Sequence, residues 1–375
     1  MSVDFGKLRV AIVHYWFIDA RGGEKVVEAL CELFPNADIF THIFDFKTFS
    51  NIAARHTVKT SFIQRLPFAG KAAAYYLPLM PLASEQFDLS AYDLVISSES
   101  GPAKALVLRE DCVHICYCHS PMRYIWNQYA ENLGWTPALL SWPMQLSAHY
   151  LRLVDYASAA RVDHFIANST SVARRIQKYY RRPSTVIFPP VEVSAFSPAD
   201  KEDFYLYCGQ LTPYKRPDLA IDCFNELGLP LRVIGDGEMR GALRKRAKPN
   251  IRFLGRVDDG ELRRHLARCC ALVFPGEEDF GIVTVEAMAC GRPVIAYGRG
   301  GVLDTVIDGI TGVLFTEQSV KGLAGAVRRY QALSDTFDPQ AIARHAGAFD
   351  KPNFMRRITE LIQGALQAEL ALQQR

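Results

Sequence analysis

A chain of 375 residues exceeds what one hydrophobic core usually serves, so two domains of roughly 150 to 200 residues each are expected. Apolar residues make up 49% and charged residues 22%, which excludes a disordered or fibrous chain. A net charge of +3 with a pI near 8.3 excludes a dedicated nucleic-acid binder, whose basic residues would crowd one face.

Residues Met1–Lys7 lack the charged-then-apolar pattern of a secretory leader. No apolar run reaches the roughly 18 residues of a membrane span, so a cytoplasmic protein with at most peripheral membrane contact is expected. Nine cysteines then read as free thiols in a reducing compartment. Cys112, Cys116, Cys118 and His119 imitate a metal quartet, but along a strand the three cysteines would share one face in steps of about 6.6 to 7 Å, Cys112 two such steps from Cys116, too stretched to wrap one ion. Neither a metal nor another cofactor is expected.

In chain order, the strand Leu8–His14 leads through Tyr15-Trp16 to Gly22-Gly23 and a helix; paired glycines there allow close approach to an anion or are an ordinary turn. Between Lys59 and Pro81, the basic residues Lys59, Arg65 and Lys71 alternate with Phe62, Phe68, Tyr75 and Tyr76. That mixture suits an anionic membrane surface, with a packed helical hairpin as the plain alternative. Strands follow at Asp93–Ser97, Val113–Cys118, His164–Ala167 and Thr185–Phe188. His119 stands just past the third of the five, and Asn168-Ser169-Thr170 past the fourth reads as a helix cap.

The proline-dense stretches Pro189–Glu192 and Phe196–Asp200 mark an interdomain linker. The pattern restarts with strands Phe204–Cys208, Leu231–Ile234, Ile251–Leu254, Ala271–Phe274, Val294–Ala296 and Gly312–Leu314, with helices such as Pro217–Leu227 and Glu261–Arg268 between them. Each strand end carries a polar or glycine-rich turn: Gly209-Gln210 with Lys215-Arg216, Gly235-Asp236-Gly237, Gly255-Arg256-Val257, and Glu278-Asp279-Phe280-Gly281. Ligands bind outside such carboxyl ends. The helix Ile282–Ala289 begins at Gly281, where backbone N–H groups suit a diphosphate, and carboxylates such as Glu278 and Glu286 accept from sugar and ribose hydroxyls. The plain alternative makes Glu278 a helix-dipole acid and Glu286 a solvated helix residue. A last helix runs from Asn353 to about Gln374 and is expected to pack back on the first domain.

The Glu278-x7-Glu286 element with Phe280-Gly281, the run Glu286–Ile295, and Gly300-Gly301 leading to Asp308–Gly312 resemble the nucleotide-binding half of retaining glycosyltransferases of family four, over about Tyr205 to Phe315. The resemblance implies the α/β GT-B fold, two Rossmann-like doubly wound domains facing a central cleft. An acceptor-binding domain would occupy residues 1–192 and a nucleotide-sugar domain residues 200–350. It implies that Glu278 holds the donor sugar and Lys215 neutralises the diphosphate, with Arg216 beside it. Gly281, Ile282 and Val283 would present the helix start, Glu286 would hold the ribose, and Arg256 and Val257 would lie by the base. Gly22, Gly23, Gly235 and Phe280 complete the donor site. Gln210 stands where the family usually has arginine, which removes one charge from the diphosphate.

His119-Ser120-Pro121-Met122-Arg123 resembles the family's His-x-Pro-x-Arg element, which implies His119 near the donor sugar; Arg123 is expected on the acceptor or membrane side together with Lys59, Arg65 and Lys71. Cys116–Trp126 with Asp93–Ser98 upstream looks like bacterial mannosyltransferases of O-antigen and exopolysaccharide synthesis. This implies GDP-mannose as donor; a polyprenyl-diphosphate-linked oligosaccharide at the membrane is the expected acceptor, and the lack of an Asp-x-Asp pair to hold a divalent ion predicts metal-free transfer. A UDP-sugar donor is the nearest alternative. From other classes, Gly235-Asp236-Gly237-Glu238-Met239-Arg240-Gly241 imitates a dinucleotide fingerprint of a nicotinamide-dependent oxidoreductase, and Gln210 suits a non-catalytic sugar-nucleotide-binding protein.

Overall fold

The computed structural model describes residues 5–19, 22–135 and 138–373. It forms two compact units, one of residues up to Pro189 together with those from Phe354 onward, the other Pro190–Asn353.

The first unit is built on seven strands: β1 Val10–His14, β2 Asp38–Thr41, β3 Val58–Thr60, β4 Leu94–Glu99, β5 Val113–Cys118, β6 His164–Ala167 and β7 Thr185–Val186. They pair, all parallel, in the order β3-β2-β1-β4-β5-β6-β7. β1, β4 and β5 are buried along their whole length, as expected of central strands covered on both faces. On one face, Val10, Ile12, Leu94, Ile96 and Ile115 pack with Val26, Val27 and Leu30 of the helix Gly22–Leu33. Phe354, Ile358 and Ile362 of the helix Lys351–Gln373 join the same core. Alternate residues Ala11, Val13 and Val95 face the other way, toward Phe40, Leu89 and Leu106.

The sequence pattern does not announce β2 and β3. Asp38-Ile39-Phe40-Thr41 and Val58-Lys59-Thr60 are too short to show a period, and pairing with β1 makes them strands. Nor is the expected linker a loose tether. Val191 is buried, and its carbonyl accepts from Lys351 N at 3.0 Å, so two stretches far apart in sequence run side by side.

The second unit has six parallel strands: β8 Tyr205–Cys208, β9 Leu231–Ile234, β10 Ile251–Gly255, β11 Leu272–Phe274, β12 Val294–Tyr297 and β13 Gly312–Phe315, in the order β10-β9-β8-β11-β12-β13. Strand order reverses between β1 and β4 in one sheet and between β8 and β11 in the other. At such a reversal adjoining loops leave in opposite directions and open a crevice at the carboxyl ends. The residues following these four strands are therefore the ones placed to bind.

Candidate functional site

In the second unit, β8 leads to a short turn, Pro213–Lys215, and β11 to Pro275-Gly276. A Cβ on Gly276 would stand 2.8 Å from Lys215 Cα, so the absence of a side chain brings the two loops together. Beyond it, Gly301 N donates to the Glu278 carbonyl at 2.9 Å. Gly300, at φ +78, lies so close that its Cβ would be 2.2 Å from the same oxygen. Held from both sides, Glu278 places Oε1 2.7 Å from Lys215 Nζ, with the side chains 22% and 20% exposed. Burial alone would lower the Lys215 ammonium, but the adjoining Glu278 carboxylate overrides it and pushes it up to about 12. The lysine is therefore a fixed positive charge.

Gly281 caps the helix Ile282–Ala289 in the left-handed region, at φ +85, and as a glycine offers the helix start no side-chain cap of its own. The Thr284 N–H and hydroxyl both turn back to the Gly281 carbonyl, at 2.9 and 2.7 Å. An uncapped start of this kind turns backbone donors and the positive end of the helix dipole toward an anion. Ile282 and Val283 are half-buried there, and Phe280 packs against Phe349. Glu286, only 6% exposed, is not a solvated surface acid. The Cys208 thiol at the end of β8 registers all three charges: burial pushes it up to about 12, aided by Glu286 and Glu278 and opposed by Lys215.

Other residues singled out in the sequence are placed as follows. Gln210 is half-buried and its carbonyl accepts from Tyr207 OH at 3.4 Å. Arg216 spends its guanidinium on Asp218, with three N···O distances of 3.0, 3.1 and 3.2 Å. Arg256 is exposed and Val257 half-buried after β10. Gly235 N donates to Gly255 O at 2.8 Å, and Gly237 N is taken by Asp236 Oδ1 at 2.9 Å. A Cβ on Gly235 would lie 1.9 Å from Gly209 O, and one on Gly237 2.6 Å from Leu211 O. These glycines press one loop onto its neighbour, and the N–H groups a dinucleotide would need are already engaged.

In the first unit, the register pairs His14 of β1 with Ser98 of β4 and Glu99 with Cys118 of β5, so His119 follows at the same level. His119 N donates to Glu99 O at 2.7 Å. Its Nε2 is 2.8 Å from Ser98 Oγ, and His14 Nδ1 lies 2.9 Å from Ser98 O. Gly22 opens the adjoining helix; a Cβ on Gly23 would touch both rings, 3.5 Å from His119 Nε2 and 3.6 Å from His14 Cε1. Burial, then the neighbouring His14, lowers His119 to about 3, so its ring is neutral. The sequence reading ends the second strand at Ser97, one residue short of Ser98, and the pairing of Ser98 with His14 is set by strand register that the sequence does not show.

Beneath this level, buried Lys104 is paired with Asp155 and, at 3.0 Å, with Glu99. Tyr180 OH and Trp126 Nε1 complete the Asp155 shell at 3.0 and 2.7 Å. Arg123 is half-buried, Arg65 and Lys71 are exposed, and Lys59 on β3 is held by Asp38 at 2.9 Å. Ser169 caps the helix Thr170–Tyr180 through Val172 N. Cys116 and Cys118 belong to one core cluster and Cys112 to another; all three are free thiols.

Residues 20–195 match the family Glycosyltransferase Family 4, and residues 192–344 match the family Glycosyl transferases group 1. A D-inositol 3-phosphate glycosyltransferase of Geodermatophilus obscurus is 28% identical over 251 residues, 58% of this chain and 56% of that protein. The chain spans about half the length of the curated relatives it matches. Sucrose-phosphate synthase from Thermosynechococcus elongatus superposes with a TM-score of 0.77 at 17% identity, covering 96% of this chain and 100% of that one. Anabaena HepE, solved in complex with UDP and glucose, superposes with a TM-score of 0.70 at 17% identity over 95% and 99% of the two chains. The shared architecture is GT-B, two Rossmann-like α/β domains.

Proposed function

We propose that the chain, whose residues 20–195 match the family Glycosyltransferase Family 4 and residues 192–344 the family Glycosyl transferases group 1, is a retaining hexosyltransferase using a nucleotide diphosphate sugar. The observation that carries this reading is the Lys215–Glu278 pair at 2.7 Å beside an uncapped helix start, with Glu286 buried one turn further on. Lys215 and the helix start take the diphosphate charge, Glu278 accepts from sugar hydroxyls and Glu286 from the ribose. Gln210 offers dipoles where a second cation would otherwise help. The donor bond breaks with oxocarbenium character, the leaving phosphate accepts the acceptor's proton, and the new bond forms on the departing face. No metal is required for this division of roles. Loss of turnover in excess EDTA would overturn that part.

GDP-mannose is the proposed donor, on the likeness of Cys116–Trp126 to bacterial mannosyltransferases. A UDP-sugar is the second reading, favoured by the UDP bound in the HepE structure. A thermal-shift series with GDP, UDP and ADP sugars separates them: a donor at about 100 times its Kd adds roughly 2.7 kcal/mol of stability. No shift with any of the three overturns the reading.

The proposed acceptor is a polyprenyl-diphosphate-linked oligosaccharide met at the cytoplasmic face of the inner membrane, as in surface polysaccharide synthesis. Among the described residues no helix is long and apolar enough to cross a membrane. Peripheral contact is supported by exposed Arg65 and Lys71 beside Phe68 and Tyr75, which are 79% and 84% exposed. The helix Ala138–Ala159 adds exposed Trp142, Leu146, Tyr150, Leu153 and Tyr156. These five fall within one arc of the helix. Flotation with anionic but not neutral vesicles is the expected result, and equal flotation with neither would remove the membrane from the proposal.

A further inference from the structure

We infer that Ser98 and His14 are positioning residues that lock His119 in the tautomer carrying its hydrogen on Nδ1, so that His119 meets a ligand as a hydrogen-bond donor and not as a base. That His119 belongs to the donor site rests on the function proposed above; the lock itself rests on four atoms of the first unit.

His14 Nδ1 is 2.9 Å from the Ser98 carbonyl oxygen and 3.2 Å from Ser98 Oγ. A carbonyl oxygen only accepts, so His14 Nδ1 carries a hydrogen, and the Ser98 hydroxyl proton cannot point back at it. Ser98 is fully buried, and the other partner of its hydroxyl is His119 Nε2 at 2.8 Å. Were Nε2 protonated, the Ser98 hydroxyl hydrogen would face no acceptor among the described residues, a state buried hydroxyls avoid. The arrangement that satisfies every group has Ser98 O–H donating to Nε2. The single hydrogen of the neutral His119 ring then sits on Nδ1. Nδ1 makes no hydrogen bond among the described residues.

The surroundings hold this order in place. Both His14 and Ser98 are set by strand register, and their side chains lie at the sheet's reversal point. Gly23 closes over the two rings, where a side chain would crowd them. At the far end, His14 Nε2 is buried, without a hydrogen-bond partner among the described residues, and faces Glu24 Oε1 at 3.7 Å. The series Glu24, His14, Ser98, His119 thus runs from the helix Gly22–Leu33 across two strands to the start of the His119 loop.

The test is long-range nitrogen–proton NMR of the full chain with 15N-labelled histidine near neutral pH, His119 being assigned from the signals lost in His119→Gln. Wild type is expected to show hydrogen on Nδ1. In Ser98→Ala the ring should move to the Nε2–H form, while in His14→Asn, whose side-chain amide replaces the Nδ1 donor, it should stay. Hydrogen on Nε2 in wild type, or an unmoved tautomer in folded Ser98→Ala, overturns the inference. In a transfer assay, loss of one such hydrogen bond should lower kcat/KM of Ser98→Ala about tenfold. Ser98→Thr, which keeps the hydroxyl, should recover it, and an unchanged kcat/KM in Ser98→Ala counts against the lock. Because the NMR signal needs no turnover, failure of the donor reading and failure of the lock are read separately.

Discussion

Lys215 and Glu278 follow different strands and are 63 positions apart, yet Nζ and Oε1 meet at 2.7 Å. Each neutralises the other until a ligand arrives, and a diphosphate would compete with Glu278 for the ammonium. Charge-assisted contacts contribute about 1.5–3 kcal/mol, so Lys215→Ala should weaken GDP or UDP binding by roughly 10- to 150-fold. Titration calorimetry on wild type, Lys215→Ala, Glu278→Gln and the double variant reads this directly. An affinity for Lys215→Ala equal to wild type would remove the lysine from the diphosphate site.

The glycines under the acidic loop are a separate test. Gly300→Ala introduces a Cβ 2.2 Å from the Glu278 carbonyl at φ +78. It should cost about 1–3 kcal/mol of second-unit stability and displace Glu278. Gly325→Ala, on the helix Val320–Leu333 with open space around it, should instead stabilise by about 0.5–1 kcal/mol. Denaturant midpoints of the two variants should move in opposite directions.

Acid should loosen the first unit before the second. Burial lowers His42 and His119 to about 3 and His114 to about 4, below the ordinary 6.5. The unfolded chain therefore binds more protons below 6.5, and stability falls as pH drops from there toward 3. Glu99 works the other way. Burial pushes it up from 4.5 to about 7, with Lys104 opposing and Asp155 assisting, so its contribution is lost as pH rises through that window. Acid loss should be shallow between 6.5 and 4.5 and steeper below 4.5, where the lowered carboxyls of Asp38 and Asp93 join the histidines. Tryptophan fluorescence against pH would show this; a flat profile to pH 4 would contradict it.

Ile358 is fully buried in the core beneath β1. Ile358→Ala should destabilise the first unit by roughly 2–5 kcal/mol. In chemical unfolding followed by hydrogen exchange, amides of β1, β4 and β5 should lose protection while those of β8 and β11 keep theirs.

The second unit was open to sequence reading because its strands are short apolar runs, each ending in a turn of unusual composition. The run Leu231–Ile234 and the helices Pro217–Leu227 and Ile282–Ala289 were read with the bounds they have. Composition could not show that Arg216 would spend its charge on Asp218, or that Gly235 serves loop packing. Both depend on which backbone lies opposite. In the first unit, Lys59 reads as one of several membrane-facing cations until β3 pairs with β2 and brings it to Asp38. His14 and Ser98 were invisible as a pair because their meeting is a matter of register between strands 84 positions apart.

The helix Lys351–Gln373 gives the two units different histories during synthesis. Residues 190–353 are contiguous, so the second unit has all its material once they have left the ribosome. The first unit is interrupted. Its β1 face stays uncovered where Phe354, Ile358, Ile362 and Leu366 belong while the whole second unit is being made. The part translated first is completed last, and its exposed apolar face is where a holding chaperone would find the nascent chain.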